Sequence, residues 1–145
     1  MKRFIYLTAL SVITAFGFNS CSKPGCTDSR ATNYSADVNE DDGTCVYRGD
    51  ITFWCLPDVS TTLKDAGHTV LRFELEGQIV DSVVTEFFFS PTGDCGTAGA
   101  KTIARDDLPY EYRHYKYRVR GLENATLYEG FVTLDANECL SIQLE

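Results

Sequence analysis

The amino-acid sequence predicts an all-β fold: an antiparallel sandwich of seven or eight strands that follows a small cross-linked module. From Gly49 onward, short runs of alternating apolar and polar residues are separated by turn-forming residues. No stretch after the first 20 residues shows a sustained helical period. The chain also contains 6 cysteines, and covalent cross-links help a β domain of about 95 residues, whose core is modest.

The N-terminal segment, residues 1–20, has the features of a signal peptide. Lys2 and Arg3 give it a positive start, and an apolar run extends from Phe4 to Phe18. As a helix, this run would span roughly 22 Å, which is short of the ~30 Å hydrocarbon core of a bilayer. We therefore predict an export signal rather than a transmembrane helix.

A small residue, Ser20, stands directly before Cys21 and after the apolar run. This arrangement resembles the lipobox of bacterial lipoproteins, in the looser form that is common in the Bacteroidetes. The resemblance implies cleavage before Cys21, lipid on its thiol, and an outer-membrane lipoprotein on the periplasmic or surface face. Two or three acyl chains anchor a protein stably, at about 0.8 kcal/mol for each buried methylene. The alternative is an ordinary cleavage site with Cys21 in a disulfide.

The charge balance excludes two classes of partner. Because residues 1–20 hold two basic residues and no acid, the remaining chain has 11 basic and 21 acidic residues, a net charge of -10. Nucleic acids and anionic lipid surfaces both require a basic protein face. We therefore predict no nucleic-acid partner, and contact with the membrane through the N-terminal lipid.

The segment from Gly25 to Cys45 reads GCTDSRATNYSADVNEDDGTC. It resembles a short repeat, GCTDxxAxNYxxxAxxDDGSC, that occurs in exported Bacteroidetes proteins. Cys26 and Cys45 close a loop with few apolar residues, so we predict a disulfide between them, worth roughly 3 kcal/mol on the chain-entropy model. We delimit a module of residues 21–48, followed by a β-sandwich domain of residues 49–145.

Oxygen-bearing side chains alternate in this module and a glycine follows them. The spacing is similar to the first half of a Ca²⁺ loop, but Gly43 falls one position late for an EF-hand and no bidentate Glu follows. Asp-Asp-Gly sequences also form turns. Two interpretations stay open: turn chemistry, or a Ca²⁺ site formed by Asp37, Asn39, Asp41 and Asp42. No other cofactor is predicted.

The sandwich domain contains eight strand-like runs. They lie near residues 50–56, 69–76, 78–85, 86–90, 101–105, 112–120, 127–134 and 139–144. Side chains alternate between the two faces of a strand, so Tyr115, Tyr117 and Val119 are predicted to point into the core.

Several short motifs give this half of the chain a family resemblance. They are Ile51-Thr52-Phe53-Trp54, Cys95-Gly96, Tyr115-Lys116-Tyr117, and Tyr128 to Thr133 before Cys139. The domain resembles small uncharacterised lipoprotein domains of the Bacteroidetes, and its layout is similar to the prealbumin-like sandwiches of carboxypeptidase regulatory and PEGA domains. Those are accessory modules, so the resemblance implies scaffolding or ligand contact rather than catalysis.

Lipid on Cys21 would leave an odd number of cysteines, so at least one thiol is free or pairs between molecules. Cys139 is predicted to face outward at the start of the last strand, and Cys95 lies in a turn. We predict a Cys95–Cys139 disulfide and a buried free thiol at Cys55, which continues an inward-facing set of apolar residues.

The strand-like run at residues 112–120 also contains a stripe of basic residues, which includes His114. It has two interpretations: an edge strand protected by charge, or a face for an anionic ligand or acidic partner formed by Arg113, Lys116, Arg118 and Arg120. No cysteine, histidine and acid form a recognisable catalytic signature. We therefore predict a non-enzymatic envelope lipoprotein that binds an unidentified protein or glycan partner. The alternative is an adhesion or surface-assembly component with a Ca²⁺-binding module.

Overall fold

The computed structural model describes residues 22–145, so the predicted signal peptide and Cys21 lie outside the described residues. In that part of the chain, one α-helix and two short 3₁₀ turns, Thr85–Phe87 and Leu122–Asn124, accompany the strands. The strands and the helix are β1 (Pro24–Gly25), β2 (Glu40–Asp41), β3 (Tyr47–Cys55), α1 (Pro57–Asp65), β4 (Val70–Leu75), β5 (Gln78–Val84), β6 (Lys101–Leu108), β7 (Tyr112–Arg120), β8 (Thr126–Asp135) and β9 (Cys139–Leu144).

Seven of these strands form the predicted all-β sandwich. One sheet has the order β6-β3-β9 and the other has the order β5-β4-β7-β8, while β1 and β2 form a separate parallel pair. The four-stranded sheet is antiparallel throughout. In the three-stranded sheet, β3 is antiparallel to β6 but parallel to β9. The fold class is confirmed, with one parallel pair that the sequence pattern does not reveal.

The core lies between the inner faces of the two sheets. Phe53 of β3 is fully buried, and its ring centroid lies 4.9 Å from that of Phe73 in β4 and 5.4 Å from that of Tyr117 in β7. Tyr115 and Val119 of β7 are buried in the same cluster. Alternation in β7 therefore places its apolar side chains as predicted, because every second side chain faces the opposite sheet.

Helix α1 is absent from the sequence prediction. Pro57 occupies its first turn, where a missing N–H costs nothing, and Gly67, with a φ of 90°, follows its end. Only Ser60 and Leu63 are buried. With 9 residues and two buried positions, the helix gives too short a pattern for the sequence to predict it. It is fixed by packing and by the Ser60 hydroxyl, which donates to the Thr85 carbonyl at 2.7 Å.

The strand predicted at residues 86–90 is wrong. The chain there forms the 3₁₀ turn and a loop rather than pairing with a neighbouring strand. Phe88 is fully buried against Phe73, with 5.6 Å between the ring centroids, whereas Phe87 and Phe89 are exposed. The apolar run serves to insert one ring into the core, and a short apolar run by itself does not distinguish that role from a strand.

Candidate binding surfaces

The module closed by Cys26 and Cys45 packs against one end of the sandwich. The Tyr47 hydroxyl, at the start of β3, donates to the Asp28 carboxylate at 3.0 Å. Arg30 forms an ion pair of 2.5 Å with Glu111 in the β6–β7 loop. The Asn137 side chain, in the β8–β9 turn, donates to the Arg30 carbonyl at 3.1 Å. These contacts attach the module to two loops and one strand of the sandwich.

Both predicted disulfides are present. Cys26 and Cys45 are joined with a Cα–Cα distance of 4.8 Å, and Cys95 and Cys139 with a distance of 5.9 Å. The first closes the module, and the second ties the long β5–β6 connection to the start of β9. On the chain-entropy model the contribution grows with the length of the closed loop, and the sequence separations are 19 and 44 residues.

Cys55 is the free cysteine of the described residues, and it is buried as predicted. Its Sγ atom lies 3.0 Å from the Phe88 carbonyl, to which it donates a hydrogen bond. Burial raises the pKa of the Cys55 thiol to about 11. At neutral pH the thiolate is therefore scarce, and this side chain acts as a small apolar residue rather than a nucleophile.

The acidic residues of the module bond to their own backbone. Asp41 Oδ1 accepts a hydrogen bond from the Gly43 amide at 3.0 Å. Asp42 Oδ1 accepts from the Thr44 amide at 3.0 Å and from the Thr44 hydroxyl at 2.6 Å. The Thr44 hydroxyl holds the pKa of Asp42 below its usual value. These bonds follow the turn chemistry that the sequence left open.

The residues of the possible Ca²⁺ site do not form a metal-binding group. Asn39 Oδ1 accepts from the Lys23 amide at 2.8 Å, which occupies a predicted ligand atom. Nowhere in residues 22–145 are three or more His, Cys, Asp and Glu side chains placed to hold a metal ion. The interpretation of Asp37, Asn39, Asp41 and Asp42 as a Ca²⁺ site is therefore not supported by their arrangement.

The basic stripe on β7 is divided between the two faces of its sheet. Arg113 has the same parity as Tyr115, and its Cζ atom lies 5.0 Å from that buried ring, on the inner side. The prediction that Arg113 shares a face with the other basic residues is therefore wrong. The edge-strand interpretation is also wrong, since β7 lies between β4 and β8.

The remaining basic residues lie on the outer face, by which we mean the solvent-facing side of the four-stranded sheet. Arg120 Nε lies 2.5 Å from Glu74 Oε1, and Arg118 Nε lies 3.2 Å from Glu129 Oε2. Lys116 Nζ lies 3.5 Å from the same Glu129 oxygen. Arg118 and Lys116 hold the pKa of Glu129 below its usual value. An anionic ligand would have to compete with carboxylates that are already in place.

Apolar side chains also lie on the outer face. Phe131 of β8 is 80 % exposed, and Ile79 of β5, which pairs with Glu74, is 59 % exposed. Lys116 Nζ lies 5.5 Å from the centroid of the Phe131 ring. Phe131 alternates along β8 with the inward-pointing Val132 and Leu134, so the sequence already predicts that its ring faces solvent. The position of Ile79 depends on the bulge in the β4–β5 register and carries no such signal.

Neither histidine approaches a catalytic arrangement with Cys55. His68 Nδ1 accepts a hydrogen bond from the Leu122 amide at 3.0 Å, and His114 Nδ1 lies 2.8 Å from the Thr133 hydroxyl. The first contact fixes a loop, and the second joins two adjacent strands. A Cys-His nucleophile pair would need these ring nitrogens to bond the thiol.

Comparisons with known proteins identify no relative of this chain. No protein-family model, no curated protein and no solved structure matches this chain. Within residues 22–145, none of the helical structure is both long and apolar enough to cross a bilayer.

Proposed function

We propose that this chain is a non-enzymatic lipoprotein of the cell envelope, held at the outer membrane by lipid on Cys21. The described chain begins at Ser22, whose hydroxyl hydrogen-bonds the Glu40 carboxylate. Two residues later, Pro24 enters the β1–β2 pair. A lipid on Cys21 would thus attach directly to the docked module and hold that end of the molecule near the bilayer.

The observation that supports a binding role is the exposure of Phe131 on the outer face. A large apolar side chain that points into water from a regular strand is a candidate contact position. Lys116 covers part of the Phe131 ring, and Ile79 lies on the same face at the opposite edge of the sheet. We propose that this face contacts a protein partner in the envelope.

Charge gives the chemistry of that partner. The basic side chains on β4 and β7 of the outer face outnumber the acidic ones on β4 and β8, although the mature chain as a whole has a net charge of -10. The basic residues are Arg72, Lys116, Arg118 and Arg120, and the acidic residues are Glu74, Glu129 and Asp135. Three of the four basic residues are already paired with Glu74 or Glu129, so the excess of positive charge is small. A partner whose apolar contact carries a carboxylate near Arg72 fits this face better than it fits the acidic remainder of the chain.

Site-specific photocrosslinking in intact cells tests the partner face. A photoreactive phenylalanine analogue replaces Phe131, and the control carries the analogue at Gln143, which is exposed on the other sheet. We expect a discrete protein adduct from position 131 and none from position 143. The adduct should be lost when Lys116, whose Nζ lies 5.5 Å from the centroid of the ring, is also changed to Glu. Absence of the adduct, or equal adducts at both positions, would contradict the proposal.

The lipid tether has an independent test. Cells are grown with an alkyne-bearing fatty acid, and the mature protein is examined by intact-mass spectrometry. We expect a chain that begins at Cys21 and carries acyl groups, whereas Cys21→Ala should lose both the label and the membrane association. A Ser22→Ala variant is the matched control and should keep both. An unmodified thiol at Cys21 would refute the tether.

The alternative, an adhesion component with Ca²⁺ in the module, finds no support in the side-chain arrangement. Its test is simple, because an ion that binds only the folded state stabilises it by RT ln(1 + c/Kd), where c is the concentration of free Ca²⁺. We expect the thermal melt to be the same in excess CaCl₂ and in excess chelator.

A further inference from the structure

We propose that the cleft between the docked module and the β6–β7 loop binds a neutral saccharide. The cleft has a volume of about 400 Å³, which falls in the range of small-molecule sites. Six of its lining residues carry the argument: Asp41, Gly43, Tyr47, Tyr110, Glu111 and Tyr112. This site is separate from the partner face centred on Phe131, and neither proposal depends on the other.

Exposed aromatic surface is the first reason. Tyr110 is 71 % exposed and Tyr112 is 54 % exposed, although both are large and belong to one short loop and the strand it enters. A tyrosine ring offers an apolar surface against which the C–H groups of a sugar ring can pack, together with a hydroxyl that bonds sugar hydroxyls. The Tyr112 ring centroid lies 5.6 Å from that of His114, on the solvent face of β7, so Tyr110 is the exposed ring that a ligand in the cleft would meet.

Hydrogen-bond acceptors on the facing wall are the second reason. Asp41 uses Oδ1 to accept from the Gly43 amide at 3.0 Å, and its other oxygen has no protein partner in the described chain. Glu111, on the loop, is held in place by its ion pair with Arg30. Ionised carboxylates accept several hydrogen bonds each, and sugar hydroxyls donate them.

The charge of the lining limits the ligand class. The residues around the cleft include two carboxylates and no lysine or arginine. Anionic sugars and phosphates would meet like charge there. Glu111 is already paired with Arg30, and an ion pair with the exposed Asp41 is worth little in water, so a cationic ligand gains little here. A neutral saccharide uses both the rings and the acceptors, and loses nothing to repulsion.

The Arg30–Glu111 ion pair joins the two walls, and the module wall is also fixed within itself, so the site exists before a ligand arrives. The Cys26–Cys45 disulfide anchors the module wall at its end. The Asn33 side chain bonds the Thr44 carbonyl at 2.7 Å and the Val46 amide at 2.9 Å, immediately beside the cleft. Binding to a preformed site avoids the entropic cost of ordering its loops.

The test uses the mature protein purified from cells. The detergent must have no sugar headgroup, because a sugar headgroup would compete for the cleft. An array of neutral, amino and acidic oligosaccharides is followed by calorimetric titration of the neutral oligosaccharide that is retained best. We expect neutral oligosaccharides to bind, and Tyr110→Ala to weaken that binding by about tenfold or more, since an aromatic anchor carries a large share of the binding energy. Asp41→Asn, which keeps a hydrogen-bonding side chain of the same size, should weaken it less.

Two control variants separate this site from other surfaces. Phe131→Ala removes a comparably exposed ring from the outer face and should leave saccharide affinity unchanged. Tyr110→Phe keeps the ring and should retain most of the affinity. The proposal is overturned if no neutral oligosaccharide binds, if only amino or acidic ones do, or if Tyr110→Ala binds as the unmodified protein does.

Discussion

The sandwich and the N-terminal module keep their shapes by different physical means. The sandwich buries side chains from both sheets, including Ile51, Phe53, Phe73 and Val119, and each fully buried apolar side chain of this size contributes about 1.5–3 kcal/mol. Among residues 22–46, only Cys26 and Ala31 are buried apolar groups. Their combined area is too small to order a loop of this length, so cross-links and polar bonds must do so.

The hydrogen bonds of the module mostly form a local network of side chains and backbone, unlike the regular hydrogen bonds between paired strands in the sandwich. Asn33 bridges to Thr44 and Val46, while Asp41 and Asp42 each bond an amide two residues ahead. Local bonds of this kind fix turns without apolar burial. The comparison shows how a short segment that cannot fold by burial alone is held in one shape by a cross-link and local polar bonds.

The largest effect is expected from the core of the sandwich. Phe53→Ala should lower the free energy of unfolding by about 3–5 kcal/mol, because it removes a buried ring that packs between Phe73 and Tyr117. Urea denaturation followed by circular dichroism measures this change. If the loss were below about 1 kcal/mol, the ring would not be the central contact between the sheets.

A smaller and more local effect is expected from the module cross-link. Replacing both Cys26 and Cys45 by Ser should cost roughly 3 kcal/mol on the chain-entropy model. Hydrogen exchange should become faster in residues 26–46, while the amides of β4 and β7 stay protected. Equal loss of protection in both regions would show that the sandwich depends on the module. The matched control is the double variant at Cys95 and Cys139, which should leave the module protected.

A pH-dependent loosening of the module is expected from Asp28. The hydrogen bond from Arg30 lowers the pKa of Asp28 to about 2. A carboxylate with a depressed pKa stabilises the fold above its unfolded pKa, and that stability is lost as the pH falls from about 4 to about 2. NMR titration of the Asp28 carboxyl carbon should show this low midpoint. In Arg30→Met the midpoint should move toward the ordinary value of an aspartic acid, and an unchanged midpoint would contradict the assignment.

The smallest effect is expected at the outer face. Phe131→Ser should change the free energy of unfolding by no more than about 0.5 kcal/mol, because the ring is already in water in the folded state. The same denaturation experiment measures it beside Phe53→Ala. A loss comparable to that of the core variant would mean that Phe131 is kept for stability and not for contact.

Much of the fold could be predicted from local patterns. The alternation of apolar residues in residues 112–120 predicts both the strand β7 and its buried side chains, and it does so because the side-chain period of a strand is fixed by covalent geometry. The cysteine spacing in the module predicts the Cys26–Cys45 disulfide, because a short loop with few apolar residues needs a cross-link. The parity of Phe131 in β8 likewise predicts that its ring faces solvent.

Tertiary structure decided what depends on segments that are distant along the chain. The parallel pairing of β3 with β9, the short helix α1 and the insertion of Phe88 into the core all result from contacts that no local period encodes. The cleft beside Tyr110 exists because the module docks on the β6–β7 loop, through Arg30 and Glu111. The sequence alone determined which side chains of each strand point to the apolar face, because backbone geometry makes successive side chains alternate between the two faces. Which surfaces meet was decided only when burial and ion pairing were satisfied together in three dimensions.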